Sequence, residues 1–265
     1  MSLYIESKGV QGAPTIVFLH GAGVSSWMWT EQIEALASDF HTLAIDLPGN
    51  GESYQTEWRS FDDSAAQVAD IIRQRASGGK AHIVGLSLGG YVALSLLEHH
   101  AEVVESVLVS GVTARPLSSP QMLGLMRLVA RLQSHIMYWR PLVRMQARMM
   151  NLPDEVIPLM LRDTQRLSAA ALTRIYDELL PYSLPARLHS PIARRLLAVA
   201  GEAEVKAIVT SLPDFLKLTP SHLVQARFAP KAHHAWPGEL PDLFTRMIRA
   251  WVTGAPLPGE LLGVG

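Results

Sequence analysis

Three residues able to share one covalent chemistry follow each other along the chain: Ser87, Glu204 and His234. A serine hydroxyl is a weak nucleophile until an imidazole takes its proton, and a carboxylate holds that imidazole in the productive tautomer. Ser87 lies in Gly85-Leu86-Ser87-Leu88-Gly89, the Gly-x-Ser-x-Gly pattern of a sharp strand-to-helix turn. The glycines have a steric reason. The middle residue of such a turn is strained, and the positions two away must lack Cβ for strand and helix to approach. The serine then sits beside a helix N-terminus, where the N–H of Leu88 is free to meet a developing oxyanion. A capping serine in an ordinary turn has the same pattern, so the remaining groups must decide.

A second glycine-rich turn, His20-Gly21-Ala22-Gly23, follows the apolar run Thr15-Ile16-Val17-Phe18-Leu19. Ligands of open α/β sheets sit at such strand ends, and the turn's N–H groups offer a second oxyanion donor, assigned to Ala22. Asp46 ends another strand and opens Asp46-Leu47-Pro48-Gly49-Asn50-Gly51-Glu52-Ser53. Its short carboxylate suits pinning of that loop through backbone N–H groups better than catalysis. His99 and His100 are adjacent, so on a helix they point about 100° apart and do not share a metal site. They suit a solvated helix end, where their charge complements the dipole.

These groups need elements to hold them. Residues 3–7, 15–19, 41–46, 82–86, 103–110, 195–201 and 223–228 read as strands, mostly as the continuous apolar runs of a sheet buried on both faces. Helices are expected from Ser25 or Ser26, either of which can cap, towards Ser38, from Asp62 or Asp63 to Ala76, after Ser87, and over 240–252. Strands alternating with helices imply a parallel sheet covered on both faces. The alternation stops between about 115 and 190, where four helices are expected, at 121–134, 135–150, 153–163 and 168–180. That insert holds Met122, Met126, Met137, Met145, Met149, Met150 and Met160, a composition suited to a lid over varied apolar ligands or to the insert's own packing. The expected organisation is a core of 1–114 and 191–265 with a helical cap of 115–190. The Pro/Gly-rich C-terminal tail is expected to be mobile.

Composition narrows the function. The 265 residues are 48% hydrophobic with a formal net charge of −1, and no basic stripe suggests nucleic acid or an anionic membrane. There is no cysteine, so no disulfide, thiolate metal site or thiol nucleophile is possible. The first residues lack the pattern of a signal peptide, and no run reaches the roughly 18–20 uncharged apolar residues of a membrane span. These features lead us to expect a soluble cytoplasmic protein, monomer or homodimer, with a small-molecule partner.

The ordered segments His20-Gly21-Ala22-Gly23, Asp46 to Ser53, Gly85 to Gly90, Gly201-Glu202-Ala203-Glu204 and His233-His234-Ala235-Trp236 resemble the α/β-hydrolase superfamily, in its serine carboxylesterase-like branch with a helical cap. The resemblance covers nearly the whole chain. It implies a mostly parallel sheet of eight strands, or seven if the first hairpin is reduced, with the cap after the sixth strand. It also implies a Ser87–His234–Glu204 triad, Ala22 and Leu88 as oxyanion donors, and neither metal nor cofactor. Two departures stand out. The family usually has aspartate where this chain has Glu204, and Glu202 competes for the role. A histidine, His233, replaces the glycine that usually precedes the catalytic one. A serine at the elbow argues against dehalogenase and epoxide hydrolase chemistry, which needs a carboxylate there. Hydrolysis of lactones or carbon–carbon bonds, thioester cleavage, haloperoxidase-like chemistry and non-catalytic ligand binding stay open.

Overall fold

Every residue of β2 (Thr15–Leu19) and β3 (His41–Ile45) is buried, as the unbroken apolar runs require of central strands. The computed structural model describes residues 2–116, 124, 139–149, 154–184, 194–218 and 221–264. With β1 (Ile5–Gly9), β4 (Ala81–Leu86), β5 (Val104–Ser110), β6 (Arg195–Gly201), β7 (Val224–Ala229) and β8 (Leu262–Gly263) they form one eight-stranded sheet of order β1-β3-β2-β4-β5-β6-β7-β8. β2 to β7 run parallel to one another, and the two edge strands, β1 beside β3 and β8 beside β7, pair antiparallel.

Successive strand residues point to opposite faces, and the core divides accordingly. Val17, Leu19, Ile83, Val107 and Val109 face α2 (Phe61–Arg75) and α3 (Leu88–His99). Ile16, Phe18, Val84, Leu86 and Leu108 face α1 (Thr30–Leu36) and the C-terminal helix Pro241–Thr253. Ser60 caps α2, accepting from Asp63 N–H at 3.0 Å. On the second face Trp29 stands between Phe18 and Phe244, with ring centroids 5.4 and 5.7 Å away.

Between β5 and β6 the chain forms α4 (Arg140–Met149), α5 (Ile157–Arg166) and α6 (Ala169–Leu179). They overlap the expected helices at 135–150, 153–163 and 168–180, whereas the one at 121–134 lies outside the described residues apart from Gly124. The two halves of the insert pack differently. Val143 and Ala147 of α4 meet Ile157 and Met160 of α5, and Val24 and Trp27 lean on this small cluster. Leu167 and the α6 residues Ala171, Leu172 and Ile175 instead join the core on the α2–α3 face of the sheet.

Three expectations need correction. The insert follows the fifth strand in chain order, because a single strand, not a hairpin, precedes β2. The eighth strand lies in the C-terminal tail, which folds back so that Leu261 is buried and Leu262 and Gly263 pair with Phe228 and Arg227. Neither Ser25 nor Ser26 caps a helix through its side chain: the segment opens as a 3-10 turn over Ser26–Trp29, and the Ser25 hydroxyl is engaged elsewhere.

Candidate active site

The sheet brings the ends of β2, β4, β5, β6 and β7 to one edge, where parallel strands present their C-termini. At the end of β4, Ser87 takes φ 51° and ψ −117°, a left-handed conformation rare for a residue with a side chain. The turn holds it there. Ser87 N–H donates to Ser110 O at 2.8 Å, and Ser87 O accepts from Gly90 and Tyr91 N–H at 2.8 and 3.1 Å. A Cβ on Gly85 would collide with the Gly89 carbonyl, and one on Gly89 with that of Leu19, so both glycines are required by close approach.

Leu88 opens α3, so its N–H has no intrahelical acceptor, and none is found elsewhere among the described residues. The Ala22 N–H is likewise unengaged, while its neighbour Gly23 donates to Asn50 Oδ1 at 3.1 Å. Buried His20 orders this turn. Its Nε2 accepts from Leu47 N–H at 2.9 Å, so Nδ1 carries the proton and donates to Gly21 O at 2.6 Å. Burial holds this imidazole below its ordinary range, against the opposing pull of the Asp46 and Asp163 carboxylates. Asp46 plays the pinning role expected of it. Its two oxygens accept from Ser26 N–H at 2.7 Å and Glu52 N–H at 2.8 Å.

The loops after β6 and β7 are tied together, with Glu202 N–H donating to Ala229 O and Ala203 N–H to Ala232 O, both at 2.9 Å. This brings Glu204 onto His234. The fully buried Glu204 carboxylate accepts from His234 Nδ1 through Oε1 and from Gly201 N–H through Oε2 at 3.1 Å. Glu202 points away and accepts from Lys231 N–H at 2.9 Å. His233 is turned to Glu239, 3.2 Å from its Nδ1. The extra methylene of glutamate is absorbed by the carboxylate folding back onto its own turn. With Nδ1 committed to Glu204, Nε2 is the ring nitrogen left for a reactant.

Ser87 and His234 line one cavity of about 920 Å³ together with Gly21, Ala22 and Gly111. Its walls are largely apolar: Trp27, Met28 and Leu86 from the core, Val156, Leu159 and Tyr176 from the insert. No lysine or arginine lines it among the described residues, and its carboxylates are Glu31 and Glu155. Burial raises the phenols of Tyr91 and Tyr176, which stay neutral. A separate cavity of about 1160 Å³ beside β1 and α2 holds none of these groups. Among the described residues no cluster of three or more His, Asp or Glu side chains is arranged to hold a metal, and no helix is long and apolar enough to cross a membrane.

One buried group escaped the sequence reading. Asp163 of α5 is fully buried against the turn that follows β2. The signal was its place three residues after Met160 on the helix's buried stripe, where an acid is out of keeping.

Comparison with known proteins agrees with this architecture. A sequence model described as the alpha/beta hydrolase family matches residues 16–253. The chain is 32% identical over 114 residues to 3-oxoadipate enol-lactonase 1 of Acinetobacter baylyi, covering 43% of this chain and 42% of that protein. It is 34% identical over 106 residues to the pimeloyl-[acyl-carrier protein] methyl ester esterase of Vibrio atlanticus, covering 40% and 38%. Both matches span well under two thirds of the relative's length. Among solved structures, an esterase of Thermogutta terrifontis superposes with a TM-score of 0.75 at 23% identity over 95% of this chain and 93% of that one, a likeness of fold.

Proposed function

The chain belongs to the alpha/beta hydrolase family, and from that premise we propose that it is a serine hydrolase cleaving carboxylic esters of small to medium apolar substrates. The observation that carries this reading is one cavity lined by a strained Ser87, by an imidazole bound to a buried carboxylate and by Ala22 with its unengaged N–H, the unengaged Leu88 N–H following directly on Ser87.

In this mechanism His234 Nε2 takes the Ser87 proton as Oγ attacks the ester carbonyl. The carbonyl oxygen becomes an oxyanion facing Ala22 and Leu88 N–H, each donor worth about 3 kcal/mol of barrier. Glu204 keeps the proton on Nδ1 and stabilises the imidazolium. The tetrahedral species collapses, the C–O bond breaks, and the alcohol leaves with the proton from Nε2. Water then attacks the acyl-enzyme by the same route, giving the acid and regenerating Ser87. No step calls on a metal or cofactor.

The apolar walls, with no lysine or arginine among the described lining residues, support uncharged substrates. We assign residues 115–190 as the cap over this cavity. The same acyl chemistry opens lactones, a second reading favoured by the enol-lactonase relative. The absence of cysteine fits a cytoplasmic location.

Intact-mass measurement after incubation with a fluorophosphonate tests the nucleophile. One adduct on the wild type and none on Ser87→Ala is expected. No adduct on the wild type refutes an activated Ser87 and favours non-catalytic ligand binding. Rates on p-nitrophenyl esters, lactones and vinylogous diketones then rank the substrate classes.

A further inference from the structure

The turn after β2 is held from two sides. From the core, Asn50 Oδ1 accepts from Gly23 N–H at 3.1 Å and Asp46 Oδ1 from Ser26 N–H at 2.7 Å. From the insert, Asp163 Oδ2 accepts from the Ser25 hydroxyl and from the Trp27 indole N–H, both at 2.7 Å. The second set of contacts spans 138 and 136 residues of sequence and joins the insert to the turn that carries Ala22.

Asp163 costs more than packing would explain. Its side chain is fully buried, and among the described residues its one cationic partner is Arg162, at 2.9 Å, whose side chain is 38% exposed and also 3.5 Å from Glu52. A buried carboxylate held mainly by neutral donors is expensive, and an apolar residue of similar volume would cover α5 at lower cost. What the carboxylate supplies is direction. Two donors converge on one oxygen, fixing Ser25 and Trp27 relative to each other and to α5. Ala22 lies three residues before Ser25, and the Trp27 ring is a wall of the cavity.

We propose that Asp163 is a positioning residue for ester hydrolysis: it holds the turn so that the Ala22 N–H points at the oxyanion, and the oxyanion site is complete only while α5 is docked. This rests on reading Ser87 as the nucleophile and Ala22 as a donor. An oxyanion donor acts on the transition state, so its misplacement lowers kcat and spares KM.

The test compares wild type, Asp163→Ala, Asp163→Asn and Ser25→Ala on a p-nitrophenyl ester, with hydrogen exchange over residues 20–29 followed by mass spectrometry. Asp163→Ala is expected to lower kcat about 10- to 100-fold with KM within about threefold, and to speed exchange in that segment alone. Asp163→Asn keeps one acceptor oxygen and is expected to recover part of both. Ser25→Ala removes a single donor, remains informative if Asp163→Ala does not fold, and is expected to lower kcat about 3- to 10-fold. An unchanged kcat in either folded alanine variant, or a change confined to KM, overturns the proposal. Should the wild type neither turn over esters nor take up a fluorophosphonate, the Ser87 reading has failed instead. The exchange rates then decide alone whether Asp163 holds the turn, and unchanged exchange overturns that too.

Discussion

The imidazole of His234 occupies the space that a side chain on Gly111 would need. A Cβ on Gly111 would lie 2.7 Å from Cε1 and 2.9 Å from Nδ1 of that ring, and 3.2 Å from the Glu204 carboxylate. Gly111 therefore acts as a floor for the histidine–glutamate pair, at φ +66°, where any other residue is strained. Gly111→Ala is expected to cost about 1–2 kcal/mol in backbone strain and, by displacing the ring, to lower kcat/KM about 100-fold. Steady-state kinetics on a nitrophenyl ester, beside a melting curve, separates the two effects. A variant that melts lower yet turns over normally would show that the ring tolerates displacement.

The two candidate acids can be separated by paired substitutions. Glu204 meets the imidazole and Glu202 only a backbone N–H. Glu204→Gln preserves shape but no longer fixes the tautomer, and a fall in kcat of about 10³- to 10⁴-fold is expected. Glu202→Gln should stay within about twofold, because an amide oxygen can still accept from Lys231 N–H. The reverse ranking would move the acid to Glu202.

Glu178 on α6 gives the fold a pH dependence. Both carboxylate oxygens accept from Phe61 N–H, at 3.0 and 3.1 Å. Burial pushes this carboxyl up from 4.5 to about 7, and the nearby Asp62 charge adds to the rise against the Phe61 bond. An acid with a raised folded-state value keeps its proton longer when folded. Its contribution is fully present below the unfolded value and is lost as pH climbs through the folded one. The wild type should therefore lose melting temperature between about pH 5 and pH 8 relative to Glu178→Gln. Parallel melting curves across that range would refute the assignment.

Asp46 is a structural pin. It is buried with both oxygens engaged by backbone N–H groups, so Asp46→Ala leaves the buried Ser26 N–H and the part-buried Glu52 N–H without their acceptor. A loss of about 3 kcal/mol in urea denaturation is expected, with Asp46→Asn recovering part of it. A loss below about 1 kcal/mol would mean that the loop re-pairs its donors on its own.

What could be read from the sequence was what repeats or is sterically forced. β2 and β6 were bounded to the residue, because apolar runs such as Arg195–Gly201 suit only a strand buried on both faces. The elbow could be read because Gly85 and Gly89 answer to collisions that local geometry fixes. Long-range pairings left a fainter trace. Asp163 meets Ser25 and Trp27 across the chain and sits in a helix whose other charges, Arg162 and Arg166, resemble a solvated face. The two-residue β8 carries no periodicity at all, and its pairing depends on β7 standing unpaired at the sheet edge.

The unequal packing of the insert sets its modularity. Leu167, Ala171, Leu172 and Ile175 are as much part of the main core as the strands they cover, whereas α4 and α5 keep a small cluster of their own. A chimaera exchanging the whole of 115–190 would strip apolar side chains from one face of the sheet. An exchange ending at Arg166 would leave that face intact and replace only the half that leans on Val24 and Trp27. The natural unit of transplantation is thus shorter than the insertion itself, and it leaves the α6 wall of the cavity, Ile175, Tyr176 and Leu179, in place.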